Sequence, residues 1–199
     1  MLCRVGPSRR PRYALLDEWL GAPPAALQPD AALAELARRH LGAHGPAAPA
    51  DLAAWSGAGL RRARRGYELI ASELRAVRTA AGPAWALAGA PARPPRSRAL
   101  LLGHFDPYLL GWESRDLVLD ARFAGRIQAG GGFIQPALLV DGRVAGTWRR
   151  RGRAARLQIE LEPFEELPAA ALAALERDAD DVGRFLGFRP DRVRTSVRT

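Results

Sequence analysis

Apolar positions recur at helical spacing in the first half of the chain and in short strand-like runs in the second half. Apolar residues three and four positions apart, such as Leu33, Leu36, Ala37 and Leu41, predict an amphipathic helix. From Ala99 the spacing changes: Leu157, Ile159 and Leu161 alternate with polar residues, as in a strand with one buried face. The chain therefore has the pattern of an α+β protein with a helical module followed by a β-rich one.

The helical module is predicted to span residues 30–92. Three helices are expected, from Asp30 as N-cap to Gly42, from Pro49 to Gly57, and from Leu60 to Val77. Two short strands, RAVRT and PAWALAG, flank a turn at residues 80–82. Helix, short helix, longer basic helix and hairpin is the order of a winged helix-turn-helix, whose third helix enters the DNA major groove. The alternative is a three-helix scaffold that contacts only protein.

The β-rich module is predicted to span residues 98–187 as a small β-barrel or sheet. Its expected strands are residues 99–102, 116–119, 133–140, 143–150 and 156–161. A helix from Pro168 to Leu186 has apolar residues at helical spacing and should close the barrel. Residues 188–199 lack a period and are expected to form a flexible tail.

The first 29 residues resemble the remnant of a preceding winged-helix module. YALLDEWL at 13–20 is too apolar for a free tail, although four prolines surround it. If the elements that cover this segment are missing, it should present an apolar patch. We therefore expect a partner that covers the N-terminal segment.

Composition narrows the function only through the placement of charge. The chain has 30 basic and 21 acidic residues, a net charge of +9, and every basic residue is arginine. The absence of lysine is typical of GC-rich codon usage, so the number of arginines alone does not indicate nucleic acid. One cysteine, Cys3, and three dispersed histidines predict no disulfide, metal or cofactor, and no apolar run suits a signal peptide or membrane span. A cytoplasmic, nucleoid-associated bacterial protein is the expectation.

Two arginine clusters are the candidate contacts with double-stranded DNA. The first is Arg61, Arg62 and Arg65 on the third helix, with Arg64 at the margin of its apolar face; the second is Arg149, Arg150, Arg151 and Arg153 around a predicted hairpin turn. For the second cluster the alternative is a set of solvated charges that keeps a strand from aggregating.

Asp106 is the candidate chemical group of the β-rich module. It lies in GHFDPYLLGW, where apolar neighbours could raise the pKa of a carboxyl and make it an acid or base. The alternative is that Asp106, directly before Pro107, caps a turn. His104 has no second ligand or nucleophile at a recognisable spacing, and Trp55 and Trp148 are expected in the core.

Four motifs together resemble the AlkZ-type bacterial alkyl-DNA glycosylases, which are built from tandem winged helices and a β-barrel. They are YALLDEWLG at 13–21, LARRHLGAHGPAAPADLAAWSG at 36–57, LLGHFDPYLLGWESRDLVL at 101–119 and LLVDGRVAGTWRRR at 138–151. The resemblance implies that the chain is the C-terminal portion of such a protein, with residues 30–90 as its last winged helix and residues 98–187 as a barrel beside a DNA-binding cleft.

The same resemblance implies a catalytic Gln-x-Gln or Gln-x-Asp motif near the N-terminus of full-length members. No match is found in that position; Gln158-Ile159-Glu160 is similar only in letters and lies in a barrel strand. The expectation is a truncated, DNA-binding and non-catalytic member of the family. Two alternatives stay open: a glycosylase acting on alkylated bases as part of a longer or split protein, and a protein-interaction or regulatory module.

Overall fold

The computed structural model describes residues 2–5, 12–22, 26–90, 99–151, 158–187 and 192–195. Strand β1 (Leu2–Val5) pairs antiparallel with β2 (Arg12–Leu15), and helix α1 (Leu16–Leu20) follows and buries none of its residues. Tyr13 and Trp19 are 67% and 61% exposed, and Leu15 and Leu20 are exposed as well. The expected apolar patch of YALLDEWL is therefore present.

Three helices and a hairpin follow in the predicted order. They are α2 (Pro29–His44), α3 (Pro49–Ser56), α4 (Leu60–Leu69), a 3-10 turn (Ala71–Glu73), β3 (Leu74–Thr79) and β4 (Gly82–Leu87). The strands β3 and β4 pair antiparallel. A small core of Ala37, Leu41, Leu52, Tyr67 and Ile70 holds the helices together. Pro49 begins α3 and a left-handed Gly57 ends it, as its sequence predicted.

Three predicted helix boundaries are wrong. Asp30 does not cap α2, which begins at Pro29 after Gln28 and continues past Gly42 to His44. Helix α4 ends at Leu69 rather than at Val77. Leu74 and Val77 match the helical period by coincidence: both lie in β3, where they pair with Leu87 and Ala84 of β4. Pairing between strands satisfies the backbone there, and it outweighs local helical preference.

The second module contains an open sheet. Its strands are β5 (Ala99–Leu102), β6 (Ala137–Val140), β7 (Arg143–Arg151), β8 (Gln158–Pro163) and β9 (Arg192–Thr195), hydrogen-bonded in that order. All pairs are antiparallel except β8 with β9. Among the strands that the structure describes, β5 and β9 each have one neighbour, so the sheet does not close into the expected barrel. Residues 192–195 also form a strand within the segment expected to be a tail.

The long connection from β5 to β6 is folded, and the strand expected at 116–119 is absent. It contains α5 (Pro107–Leu110), a 3-10 turn (Ala121–Phe123) and α6 (Ala124–Ile127). Val118 and Leu119 are buried, but their backbone N–H groups bond to the carbonyl of Arg115 in a turn. The strand predicted at 133–140 begins only at Ala137, since Pro136 before it has no N–H to donate.

Helix α7 (Ala169–Phe185) covers one face of the sheet, as the pattern predicted. Leu175 and Ala179 are fully buried against Leu138, Ile159 and Leu161. The carboxylate of Asp178 accepts the backbone N–H of Leu101 at 2.6 Å, which ties the helix to the edge strand β5. Trp148 is partly buried beside this core and donates to the carbonyl of Leu102, whereas Trp55 is 42% exposed and lies at a rim, contrary to expectation.

The two modules meet at a buried joint formed by His40 and His44 of α2 and by Gly111 and Trp112 after α5. His40 Nε2 donates to the carbonyl of Gly111 at 2.9 Å, and Trp112 Nε1 donates to the carbonyl of His44 at 3.1 Å. Both histidines are buried. Asp51 adds a third link, because its Oδ2 accepts the N–H of Ala48 and its Oδ1 accepts the N–H of Glu113.

We expect Gly111→Ala to destabilise the protein. A methyl group at Gly111 would lie 2.1 Å from His44 Nδ1, and the His44 ring is held between the rings of His40 and Trp112. Overpacking of this kind costs about 1–3 kcal/mol in the free energy of unfolding. Gly125→Ala is the control: a methyl group there meets nothing within 4 Å, and it should be neutral or stabilising because Gly125 is helical. Urea unfolding of both variants tests this expectation. Equal free energies of unfolding for the two variants would contradict the close packing of His44 against Gly111.

Candidate nucleic-acid interface

The first arginine cluster lies on the outer face of α4. Ala63, Gly66 and Tyr67 bury the inner face against α2, and a methyl group at Gly66 would lie 2.8 Å from the Leu33 carbonyl oxygen. The close approach of the two helices fixes the direction of the outer face. Arg61, Arg62, Arg64 and Arg65 are all exposed. Arg64, expected at the margin of the apolar face, thus belongs with the cationic surface.

Arg65 differs from its neighbours because it is paired with acid. Its guanidinium contacts Asp30 at 2.6 Å and Glu68 at 3.7 Å. The hydrogen bond with Asp30 raises the pKa of Arg65 and lowers the pKa of Asp30. No ion pair of Arg61, Arg62 or Arg64 is found within the described part of the chain. These three are the cations available to an anionic ligand.

In the second cluster, Arg149 and Arg151 belong to an ion-pair network across β7 and β8. Arg149 stands opposite Glu160 in the register, and its Nε lies 2.6 Å from Glu160 Oε2. Arg151 Nε reaches the same oxygen at 2.9 Å. The hydrogen bond from Arg149 is the main cause that lowers the pKa of Glu160. Two of the predicted phosphate contacts are therefore already matched by a carboxylate.

Glu162 extends this network into the core, although the alternation of apolar and polar residues along β8 predicts that its polar residues face water. The residue is 6% exposed, and its Oε1 lies 2.8 Å from Arg149 Nη2. The contact lacks hydrogen-bond geometry, so it is an ion pair held by charge alone. Arg149 thus compensates a buried carboxylate, a role that the arginine-rich sequence RRRGR did not reveal.

Arg150 alternates with Arg149 and Arg151 along β7, and it borders a cavity of about 760 Å³ that Arg149 also lines. No ion pair of Arg150 is found among the described residues. The cavity is also lined by His104, Gln135, Trp148, Asp178, Asp181 and Phe185. The two carboxylates are engaged, Asp178 by the N–H of Leu101 and Asp181 by Arg184. Arg153, the fourth predicted contact, lies outside the described residues.

Asp106 caps a short helix. Its Oδ1 accepts the N–H of Tyr108 at 2.9 Å at the start of α5, as the turn-capping alternative predicted. His104 contacts the carbonyl of Ile134 through Nδ1 at 3.2 Å. Neither residue meets a second titratable side chain in the described contacts, so the structure assembles no acid–base pair around Asp106.

Gln28-Pro29-Asp30 also has the letters of a Gln-x-Asp motif. It lies at the start of α2, where Gln28 is the N-cap position. Its central residue is proline, and its carboxylate is held by Arg65 at 2.6 Å. A base needs a carboxylate free to take a proton, and this one is engaged by a cation.

The described residues hold no group of three or more His, Cys, Asp or Glu that could bind a metal ion. Helices long and apolar enough to cross a membrane are also not found among them.

The chain matches the AlkZ-like DNA glycosylase family over residues 1–185, and it belongs to that family of DNA repair proteins. The interstrand DNA cross-link repair glycosylase of Streptomyces sahachiroi is 28% identical over 168 residues, which cover 80% of this chain and 44% of that protein. The solved structure of Streptomyces sahachiroi DNA glycosylase AlkZ matches with a TM-score of 0.80 at 27% identity, over 98% of this chain and 54% of that one. The chain spans about half the length of these relatives.

We expect Arg149→Ala to destabilise the fold and Arg150→Ala to leave it unchanged. Loss of Arg149 would leave the buried carboxylate of Glu162 uncompensated, at a cost of about 1–3 kcal/mol in the free energy of unfolding. Arg150 is the matched neighbour, with the same charge and no ion pair in the described part of the sheet. Denaturant unfolding of the two variants distinguishes them, and an equal effect would show that the network is not structural.

We also expect stability to fall as the pH falls below about 6.5. Burial lowers the pKa of His40 and His44 in the folded protein. Below an unfolded-state pKa of about 6.5, the unfolded chain therefore binds more protons than the folded one. The free energy of unfolding then decreases by up to about 1.4 kcal/mol per pH unit for each histidine.

Unfolding measured between pH 7.5 and 5 checks this expectation. The variant His40→Gln/His44→Gln should show a flatter dependence than the parent protein. An unchanged slope in the double variant would assign the effect to other groups.

Proposed function

We propose that the chain is a DNA-binding unit of a DNA repair protein of this family and contacts duplex phosphates through the outer face of α4. The order of three helices and a β-hairpin supports a winged-helix interpretation, in which α4 is the recognition helix. The second module then carries the sheet beside the bound DNA. This proposal includes the domain division at residues 30–92 and 98–187.

The observation that carries the proposal is the cationic start of α4, for which the described residues provide no ion-pair partner apart from those of Arg65. Arg61, Arg62 and Arg64 are exposed on a helix whose other face is buried. Their guanidinium groups are free to replace the counterions of DNA phosphates, which is the main source of non-specific affinity. The N-terminal end of a helix also favours an anion through its dipole and its free N–H groups.

On the sheet, Arg150 is the residue that we propose contacts phosphate. Arg149 and Arg151 would have to leave Glu160 to bind DNA, so their role in the proposal is to hold β7 and β8 together. Arg65 could bind a phosphate only in competition with Asp30, whose carboxylate already contacts its guanidinium.

We propose further that this chain does not excise bases by its own residues. Asp106, the carboxylate singled out from the sequence, is engaged by the N–H of Tyr108, and Asp30 in the letters Gln-Pro-Asp is engaged by Arg65. The alternative, excision as part of a longer or split glycosylase, is favoured by the relative named a cross-link repair glycosylase, of which the chain covers 44%. Release of an alkylated base by this purified chain, abolished by Asp106→Asn, would support the enzyme and overturn this proposal.

The protein-interaction alternative rests on the exposed apolar residues of the N-terminal segment. Tyr13, Trp19 and Leu20 are each more than half exposed. A protein partner that covers them stays a prediction, and it is compatible with DNA binding elsewhere on the chain.

We expect Arg61→Ala/Arg62→Ala to weaken duplex binding and to flatten its dependence on salt. If each arginine neutralises one phosphate, the slope of log affinity against log salt should decrease by about 1.8. Fluorescence anisotropy over a salt series measures this. The control is Arg39→Ala/Arg177→Ala, which removes the same net charge from exposed positions on α2 and α7.

The control variant should keep the slope of the parent protein. Equal losses in the two double variants would mean that affinity follows net charge alone, and no measurable binding by the parent chain would contradict the proposed function.

A further inference from the structure

Two exposed aromatic rings face each other at the surface of the second module. Phe105 follows β5, and Phe133 precedes β6; they are 45% and 40% exposed. Their ring centroids lie 5.0 Å apart at an interplanar angle of 77°, and the ring of His104 lies 4.9 Å from Phe133. We call these three residues the aromatic wedge. Rings so exposed are not explained by burial in the core.

The backbone of Phe105 is held in an unfavourable conformation. Its φ of 55° is in the left-handed region, where a bulky side chain is uncommon and glycine or asparagine is easier to accommodate. Phe133 follows three glycines that all have positive φ, and its N–H donates to the carbonyl of Gly130 at 2.9 Å. An aromatic residue at a costly position, with its ring outside the core, indicates a role for the ring itself.

The wedge is fixed in place and borders the cavity described above. His104 Nδ1 contacts the carbonyl of Ile134, which links the two loops. His104 and Gln135 both line the cavity of about 760 Å³, and Arg150 stands on its wall. In the described contacts, the side-chain amide of Gln135 has no hydrogen-bond partner. The His104 ring, the Gln135 amide and Arg150 thus line one cavity, and Phe133 packs on His104 and Phe105 on Phe133 beside it. Together these groups match the π face, polar edge and phosphate of a nucleotide.

We propose that Phe105 and Phe133 insert into DNA and stack on a base that has lost its neighbour, with the displaced nucleotide received by the cavity lined by Gln135 and Arg150. Apolar and aromatic side chains that enter a base step unstack it and bend the duplex. The inference rests on the proposed function, because it needs the chain to bind DNA. It adds a feature that the α4 arginines do not supply, namely selection of DNA in which a base is easily unstacked.

The test uses the full chain with two duplexes that contain 2-aminopurine, one fully paired and one with the probe opposite an abasic site. Fluorescence of 2-aminopurine reports unstacking, and anisotropy on the same samples reports binding. We expect the parent chain to raise the fluorescence and to prefer the abasic duplex. Phe105→Leu/Phe133→Leu should lose the fluorescence rise and bind this duplex roughly 5- to 100-fold more weakly, whereas Phe105→Tyr/Phe133→Tyr should retain both.

Two further variants separate the wedge from effects on folding and on general surface hydrophobicity. Phe105→Gly removes the ring but suits the left-handed backbone, so its melting temperature should not fall although the fluorescence rise is lost. Trp19→Leu, an exposed aromatic of α1, should behave as the parent chain. If the Leu/Leu variant still raises the fluorescence, the wedge proposal is wrong, but the proposed function stands because the chain still binds DNA. If the parent chain does not bind DNA, both proposals are wrong.

Discussion

The contact on which the arrangement of the chain depends is the close packing of His44 against Gly111, locked by the hydrogen bond from His40 to the Gly111 carbonyl. These groups belong to different modules, and both histidines are buried. The backbone at Gly111 has a φ of −75°, so glycine is required there by space and not by conformation. The joint places the α4 arginines and the aromatic wedge on one connected body, which is what a single DNA ligand bound by both would need.

The arginines of this chain divide into two physical classes. Arg149 and Arg151 neutralise carboxylates within the sheet, one of them buried, so they stabilise the protein that carries the interface. Arg61, Arg62 and Arg150 have no such partner in the described contacts and keep their charge available. Net charge does not separate these classes, because each arginine adds the same +1. The register of β7 with β8 separates them, by placing Glu160 opposite Arg149.

The sequence predicted correctly those elements whose ends and buried faces depend on residues within the element itself. Proline at the first position and a left-handed glycine at the end set the bounds of α3, and the apolar spacing of Leu175 and Ala179 identified α7 and its buried face. The predictions were wrong where contacts with residues distant in the sequence determine the backbone conformation. The α4 helix stops at Leu69 because β4 pairs with the residues that follow. Val118 and Leu119 are apolar enough for a strand, yet they fill the core from a turn.

The candidate site, like the fold, could be predicted only where the spacing of residues within one element determines it. Helical spacing predicted that Arg61, Arg62 and Arg65 are exposed on α4, and they are; Arg64, expected at the margin of the apolar face, is exposed as well. The pairing of Arg65 with Asp30, the burial of Glu162 and the meeting of Phe105 with Phe133 each join residues at least 13 positions apart in the sequence, and no periodic pattern reports them. The positive φ of Phe105 is likewise visible only in the backbone, although the glycines at 130–132 marked the neighbouring loop as unusual.

We propose that one duplex contacts both modules of this chain. Hydrogen–deuterium exchange with and without an abasic duplex tests it most directly, with the same comparison repeated at high salt. The account predicts slower exchange at the start of α4, around residues 58–65, and in the loops at 103–106 and 130–134, with both effects lost when salt releases the DNA. Protection confined to one module, or to the exposed segment at 13–20, would contradict it.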